Sequence, residues 1–148
     1  MLKNCSKIFF FMFLAIAAWQ DYQTREMDGW LLSAAAIAGI VVCIIGCFTH
    51  QRALCDIILS CGVGAGLLVL SRLTSGGIGE GDGWFFVISG LYLNALENMW
   101  LFFSGIFICF LWSLPLAVKA MIEKGKGRNR QLPFLPFLLP LGVWLAIS

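Results

Sequence analysis

Long apolar runs separated by short polar segments follow one another along the whole chain. Judged by the length needed to cross a hydrocarbon core of about 30 Å, they predict about six membrane-spanning helices. The predicted spans cover residues 7–20, 30–48, 53–71, 83–96, 98–118 and 132–147. The first, fourth and sixth are short, since roughly twenty residues are usual. We therefore expect an all-α, polytopic membrane protein in which residues 1–148 form a single domain.

Composition supports a place in the lipid bilayer. Of the 148 residues, 60% are hydrophobic and 12% are charged, and the mean hydropathy is +0.90. These values exclude an ordinary soluble globule. The net charge is only +2, and the basic residues lie in short loops. We therefore expect the bilayer as a partner and no binding of nucleic acid.

The distribution of lysine and arginine predicts the orientation of the spans. Three basic residues, Lys3, Lys7 and Arg52, fall on one side of the predicted membrane, and seven fall on the other. The seven are Arg25, Arg72, Lys119, Lys124, Lys126, Arg128 and Arg130. Lys3 and Lys7 alone would place the N-terminus in the cytoplasm. We give more weight to the larger count, because residues 119–130 carry five of the seven, and predict that their side is cytoplasmic.

Two aspartates stand at the ends of predicted spans. Asp21 ends the first apolar run, and Asp82 begins the fourth, after the glycine-rich segment 76–81. Because two spans lie between them, both aspartates face the same side in either orientation. Ionisable groups at membrane depth are rare and usually functional. Two carboxyls at one membrane face are the minimum for aspartyl proteolysis, in which one takes a proton from water and the other polarises the scissile carbonyl.

The residues just before Asp82 suit the binding of an extended peptide. Gly79 and Gly81 remove side chains from the approach to the carboxyl and allow unusual backbone angles. A flexible loop that ends in an aspartate N-cap would leave the same pattern. Glu80 between the glycines is either a solvated carboxylate or a group that raises the pKa of the pair by repulsion.

Together these motifs resemble those of the type IV prepilin peptidases, which are membrane aspartyl proteases of the Gly-x-Gly-Asp class. Gly79-Glu80-Gly81-Asp82 matches the motif that names the class. Asp21 followed by Arg25 resembles the family's first motif, and residues 132–138 are close to the Pro-Phe-x-Pro-Phe-Leu of its last helix. The chain is similar to the short, protease-only members, which have no N-terminal methyltransferase region.

The resemblance implies an aspartic-type endopeptidase, a hydrolase, in the cell (cytoplasmic) membrane. It would remove the leader peptides of prepilin or preflagellin precursors on the cytoplasmic side, for type IV pilus assembly or protein secretion. The implied catalytic pair is Asp21 and Asp82, and no metal or other cofactor is implied. The implied supporting or substrate-binding residues are Gly79, Gly81, Arg25 and Glu80. Precursors of this class carry a short basic leader and then a long apolar helix.

Two departures from the family pattern keep alternatives open. Asp28 replaces a proline, and Gly83-Trp84 stand where an apolar residue and a lysine are common. They keep open a catalytically inactive scaffold subunit of a pilus or secretion system. Independent alternatives are a small membrane transporter that uses the two aspartates as a relay, and a membrane phosphotransferase that uses carboxylates to hold magnesium. The sequence leaves the precursor and the oligomeric state undetermined.

Helix dipoles predict which carboxyl carries the charge. Asp82 stands at the N-terminal end of a predicted helix, where a negative charge is favoured, and Asp21 stands at a C-terminal end, where it is opposed. On this argument Asp82 is the ionised base and Asp21 its protonated partner.

Overall fold

The computed structural model describes residues 2–24, 28–49, 52–74, 79–122 and 134–147. In these residues the chain is helical and has no strand, so the prediction of an all-α fold is confirmed. A short 3₁₀ helix, η1, runs directly into the last α-helix. The elements in chain order are α1 (Leu2–Thr24), α2 (Gly29–Phe48), α3 (Leu54–Leu73), α4 (Glu80–Tyr92), α5 (Ala95–Ile122), η1 (Leu135–Leu138) and α6 (Leu139–Ile147).

Three of these helices are clear candidates to cross a membrane by length and composition. They are α2, α3 and the part Ala95–Pro115 of α5. The described residues contain six α-helices, in agreement with the prediction of about six apolar helices. Three of them are long and apolar enough to cross a membrane. α4 has only 13 residues, about 20 Å at 1.5 Å per residue. The fourth span was predicted to end at residue 96, whereas α4 ends at Tyr92.

α4 lies at the centre of the bundle. Phe85, Phe86 and Ile88 are almost completely buried, as are the small residues Ser89 and Gly90. Aromatic rings of α1 and α5 pack against α4, since the ring centroids of Phe13 and Phe85 are 5.2 Å apart and those of Phe86 and Phe102 are 5.3 Å apart. α4 is thus held mainly by protein contacts.

Glycines let α3 and α4 come close together. A Cβ at Gly64 would overlap the backbone nitrogen of Val87, and a Cβ at Gly90 would lie 2.7 Å from the backbone nitrogen of Cys61. A Cβ at Gly62 or Gly66 would meet nothing within 4 Å. Of the three alternating glycines of α3, Gly64 therefore makes the close helix contact.

The C-terminal end of α4 is also held by protein groups. Side chains from other elements donate hydrogen bonds to its last carbonyls, which a helix end leaves without partners. Arg52 Nη1 lies 2.6 Å from the Leu91 oxygen, and Ser6 Oγ lies 2.6 Å from the Tyr92 oxygen. These bonds matter because lipid cannot satisfy a backbone carbonyl.

A buried asparagine joins three helices near the same end. Asn98 of α5 is fully buried, and its Nδ2 donates to the carbonyl oxygens of Ser60, at 2.9 Å, and Phe86, at 3.2 Å. Its Oδ1 accepts a hydrogen bond of 2.7 Å from the hydroxyl of Ser89. Asn98 thereby fixes the position of α4 relative to α3 and α5.

Candidate active site

Asp21 lies in the last turn of α1 and contacts the beginning of η1. The backbone N–H of Leu135 donates a hydrogen bond of 3.0 Å to Asp21 Oδ2. The first N–H groups of a helix have no partner within the helix, and a carboxylate there is stabilised by both the hydrogen bond and the dipole. The buried side chain of Leu135 holds η1 in the core beside α1. The negative form of Asp21 is therefore favoured by a backbone donor.

Asp82 occupies the third position of α4, one turn after the glycine that begins the helix. Its N–H donates to the Gly79 carbonyl at 3.2 Å. A Cβ at position 79 would lie 3.3 Å from Asp82 Oδ2, so the glycine gives the carboxyl its room. Gly79, not Asp82, is the N-cap of α4. The alternative explanation of Asp82 as a simple N-cap is therefore wrong.

The carboxyl of Asp82 is desolvated. Burial first, and the charge of Asp21 second, raise the pKa of Asp82 from 3.8 to about 7. Asp82 precedes the apolar part of α4 and lies outside the three clear membrane spans. The contribution of the Asp21 charge to the raised pKa of Asp82 shows that the two carboxyls interact electrostatically.

The dipole-based assignment of the charge does not agree with this environment. A helix terminus contributes typically about 0.3–1 kcal/mol. A pKa rise from 3.8 to about 7 corresponds to about 4 kcal/mol. Burial therefore outweighs the dipole at Asp82 and favours its protonated form. Asp21, which accepts the Leu135 N–H, is the better candidate for the charged member.

Comparison with known proteins identifies the family of this chain. A sequence model described as the type IV leader peptidase family matches residues 8–114, which include Asp21 and Asp82. The chain belongs to the type IV leader peptidase family. The prediction of the family is thus confirmed, and family membership makes the protein a protease, that is, a hydrolase. Comparisons with curated proteins and with solved structures give no match.

The family match ends before η1 and α6. Leu135, whose N–H contacts Asp21, therefore lies outside the matched segment, and only the structure shows this contact. The prolines of this region match a family motif in the sequence, but the sequence does not indicate that the 3₁₀ helix that follows begins beside Asp21. The two positions are 114 residues apart, and no local pattern could have joined them.

The other residues predicted for the site divide into two groups. Gly79, Glu80 and Gly81 lie at the beginning of α4 beside Asp82, and Glu80 is exposed. Exposure agrees with a solvated carboxylate at this position. Arg25 and residues 76–78 lie outside the described residues.

Gln20 is a neighbour of the site that sequence reasoning missed. Its Nε2 donates a hydrogen bond of 2.7 Å to Asp28 Oδ2. Asp28 immediately precedes α2, and its carbonyl accepts the N–H of Leu31 at 3.1 Å. The residue that replaces the family's proline is therefore joined by a hydrogen bond to the helix that carries Asp21. Gln20 Oε1 is buried without a hydrogen-bond partner.

Among the described residues, no group of three or more His, Cys, Asp or Glu side chains could hold a metal ion. The chemistry available at this end of the bundle is that of the two carboxyls. The charged form of one is favoured by a backbone donor, and the pKa of the other is raised by burial to about 7. Two carboxyls in such different environments can act as a base and an acid together.

Proposed function

We propose that the protein is an aspartic-type endopeptidase of the cytoplasmic membrane that removes the leader peptide from type IV pilin-like precursors. One observation carries the proposal. Asp21 of α1 and Asp82 of α4 lie within electrostatic reach of each other, and burial raises the pKa of Asp82 to about 7. Peptide hydrolysis by two aspartates needs one carboxyl that is charged beside one that holds a proton, and a raised pKa of Asp82 favours this arrangement.

The proposed reaction uses water as the nucleophile. Asp21, as the anion, takes a proton from a water molecule whose oxygen attacks the scissile carbonyl carbon. Asp82, as the acid, gives its proton to the carbonyl oxygen as the tetrahedral intermediate forms. When the intermediate collapses, the carbon–nitrogen bond breaks and the proton on Asp21 passes to the leaving amine. The intermediate's hydroxyl proton returns to Asp82, which restores both groups.

The substrate class follows from the family and from the place of the aspartates. A precursor with a basic leader and a following apolar helix would present its scissile bond near the membrane surface. Asp21 and Asp82 lie at helix ends, in the last turn of α1 and the first turn of α4. A transporter relay would instead favour carboxyls in the middle of the spans, so this position supports the protease over the transporter.

The first prediction tests the pair by substitution. Asp21→Asn and Asp82→Asn should each reduce the cleavage of a precursor by at least about a hundredfold, since the amide cannot exchange the proton. The fold should be retained in both variants. At position 21 an asparagine oxygen can still accept the N–H of Leu135. The measurement is the cleavage rate in proteoliposomes, with and without a chelator.

Glu80→Gln is the matched control, because Glu80 is an exposed carboxylate in the same turn of α4. It should retain most of the activity. Rapid cleavage by either asparagine variant would contradict the proposed pair. An enzyme that a chelator inactivates would contradict a mechanism that needs only carboxyls. A folded protein that cleaves no precursor under any condition would favour the scaffold subunit.

A further inference from the structure

An apolar pit opens between α5 and α6 at the end of the bundle far from Asp21. It has a volume of about 280 Å³, and its apolar lining residues are Leu96, Trp100, Leu101, Leu141, Trp144 and Leu145. Leu101 and Leu145 are buried and form the floor, whereas Trp100 and Trp144 are largely exposed and form the rim. A cavity of about 150 Å³ holds a benzene molecule. The pit therefore has room for one or two bulky side chains.

The polar side chains in the wall of the pit are already engaged. Glu97 forms an ion pair of 3.4 Å with Lys7 and accepts the N–H of Asn94 at 3.0 Å. The hydroxyl of Ser104 donates to the carbonyl oxygen of Trp100. Neither group needs a ligand to complete its hydrogen bonding. The pit therefore favours an apolar side chain over a headgroup or a polar peptide.

The elements that form the pit also flank the two aspartates. η1, which continues into α6, begins at the N–H that binds Asp21. Cys109 of α5 lies within electrostatic range of Asp82. Between the pit and the aspartates α5 and η1 close on each other, because Gly105 is packed under the Leu138 side chain. The contact of Gly105 with Leu138 therefore separates the pit from the candidate active site.

The distance between the pit and Asp21 follows from helix geometry. Four residues of η1 rise about 2.0 Å each, and the residues of α6 rise about 1.5 Å each. From Leu135 to Leu141 the path is about 11 Å, and to Leu145 it is about 17 Å. An α-helical ligand that runs beside α6 covers these distances in about seven to eleven residues.

We propose that this pit binds the apolar helix of the precursor, and that it receives a bulky side chain about seven to eleven residues after the cleaved bond. The inference rests on the proposed function. A precursor whose scissile bond lies at Asp21 and Asp82 continues through the bilayer in the direction in which α6 runs. The contact of Gly105 with Leu138 closes the pit toward the aspartates, and its volume of about 280 Å³ suits one or two bulky side chains.

The test compares two substrates of the reconstituted enzyme. One is a synthetic precursor with a basic leader, the junction and an apolar helix; the other is a short peptide with the leader and junction alone. Trp100→Ala should raise the KM for the helical precursor about tenfold, as expected for an exposed aromatic side chain that the bound helix would cover. It should leave cleavage of the short peptide unchanged, since Trp100 lies far from the aspartates.

Leu96→Ala and Leu59→Ala form the matched pair of smaller changes. Leu96 lies in the pit and is 73% exposed, whereas Leu59 of α3 is 66% exposed and lies outside it. Leu96→Ala should weaken the binding of the helical precursor, and Leu59→Ala should not. A photo-crosslinker at position 100 should label the precursor seven to eleven residues after the junction, and one at position 59 should not.

Three outcomes would overturn the inference. Equal effects of Trp100→Ala on both substrates would indicate a change in fold or catalysis, and no effect on either would exclude the pit. Crosslinks to lipid alone would assign the pit to an acyl chain. In each of these cases the wild-type enzyme still cleaves both substrates, so the proposed function stands. Wild-type protein that cleaves neither substrate would instead refute the proposed function, and the inference with it.

Discussion

The carboxyls of Asp21 and Asp82 both lie at helix ends, but their surroundings differ. Asp21 accepts a backbone hydrogen bond from Leu135, whereas Asp82 is desolvated in the first turn of α4. The desolvation free energy acts on the charged form only, so it raises the pKa of Asp82. This difference, and not the helix dipoles, sets the proposed roles of base and acid.

A second prediction concerns the pH dependence of cleavage. Burial and the charge of Asp21 raise the pKa of Asp82 to about 7, and the proposed mechanism needs Asp82 protonated. As the pH rises through about 7, Asp82 loses its proton, and kcat/KM should fall about tenfold per pH unit above that value. The measurement is the pH profile for the short peptide, and Glu80→Gln should leave its alkaline limb in place.

Infrared titration of the carboxyl groups gives an independent reading of the same assignment. The band of the carboxyl with the high pKa should disappear in Asp82→Asn and persist in Asp21→Asn. If it disappears in Asp21→Asn instead, the two roles are reversed and the dipole argument was the better one. Because the two groups are coupled, the apparent pKa values belong to the pair, and both single variants are needed.

The sequence predicts that both aspartates lie on one side of the membrane, and in the structure the charge of Asp21 acts on the carboxyl of Asp82. Their catalytic roles stay predictions, as do those of Gly79, Gly81, Arg25 and Glu80. The charge assignment could not be derived from the sequence. It depends on the burial of Asp82 and on a contact between residues 114 apart, and helix dipoles report neither.

At the scale of helices, the break between α4 and α5 shows that an apolar pattern alone does not predict where one helix ends and the next begins. Residues 91–96 contain a single polar residue, Asn94, so the pattern predicted a span that continued to residue 96. α5 begins at Ala95 instead. Glu97 accepts the N–H of Asn94 at 3.0 Å, and the Asn94 carbonyl accepts the N–H of Asn98 at 2.9 Å. Asn-x-x-Glu is one half of a capping box, and this pattern in the sequence indicates that a new helix begins just after Asn94.

A third prediction tests the close contact of α3 and α4. Gly64→Ala should lower the free energy of unfolding by about 1–3 kcal/mol, because its Cβ would overlap the backbone of Val87. Gly66→Ala is the control on the same helix, since a Cβ there meets nothing within 4 Å. It should be neutral or stabilising by up to about 1 kcal/mol, because alanine is the better helix former. The measurement is unfolding in detergent micelles.

Equal stability of the Gly64→Ala and Gly66→Ala proteins would contradict the packing described for α3 and α4. The sequence indicated that the glycines at 62, 64 and 66 suit close packing. It could not distinguish among them, because the choice depends on which face of α3 meets α4. Residues two apart on an α-helix point to different faces, so only part of an alternating set can lie at one contact.

At the scale of the whole molecule, the orientation in the membrane stays a prediction from the basic residues. Reporters fused after Arg72 and within residues 124–130 should be found in the cytoplasm, and a reporter at His50 should be found outside. The reason is the excess of lysine and arginine on the first side. A reporter at His50 that is found in the cytoplasm would invert the topology and place the aspartates on the wrong side for the proposed substrate.

The all-α fold and the family could be predicted from the sequence, because apolar runs and the Gly-x-Gly-Asp motif are local patterns. The sequence also indicated that the fourth run is short, but not that α4 ends at Tyr92 and is enclosed by the other helices. Its length is set by Arg52 and Ser6, which bind its last carbonyls from distant parts of the chain. Such long-range hydrogen bonds leave no periodicity in the sequence.

The enclosure of α4 has a consequence for membranes of different thickness. A helix that is anchored by lipid shifts or tilts when the hydrocarbon layer becomes thicker or thinner. α4 is instead fixed at its C-terminal end by Arg52 and Ser6 and along its length by the neighbouring helices. The depth of Asp82 is therefore defined by the protein itself. In the proposed enzyme the same peptide bond would be selected in thin and thick bilayers, because the bilayer deforms around the protein before the position of cleavage changes.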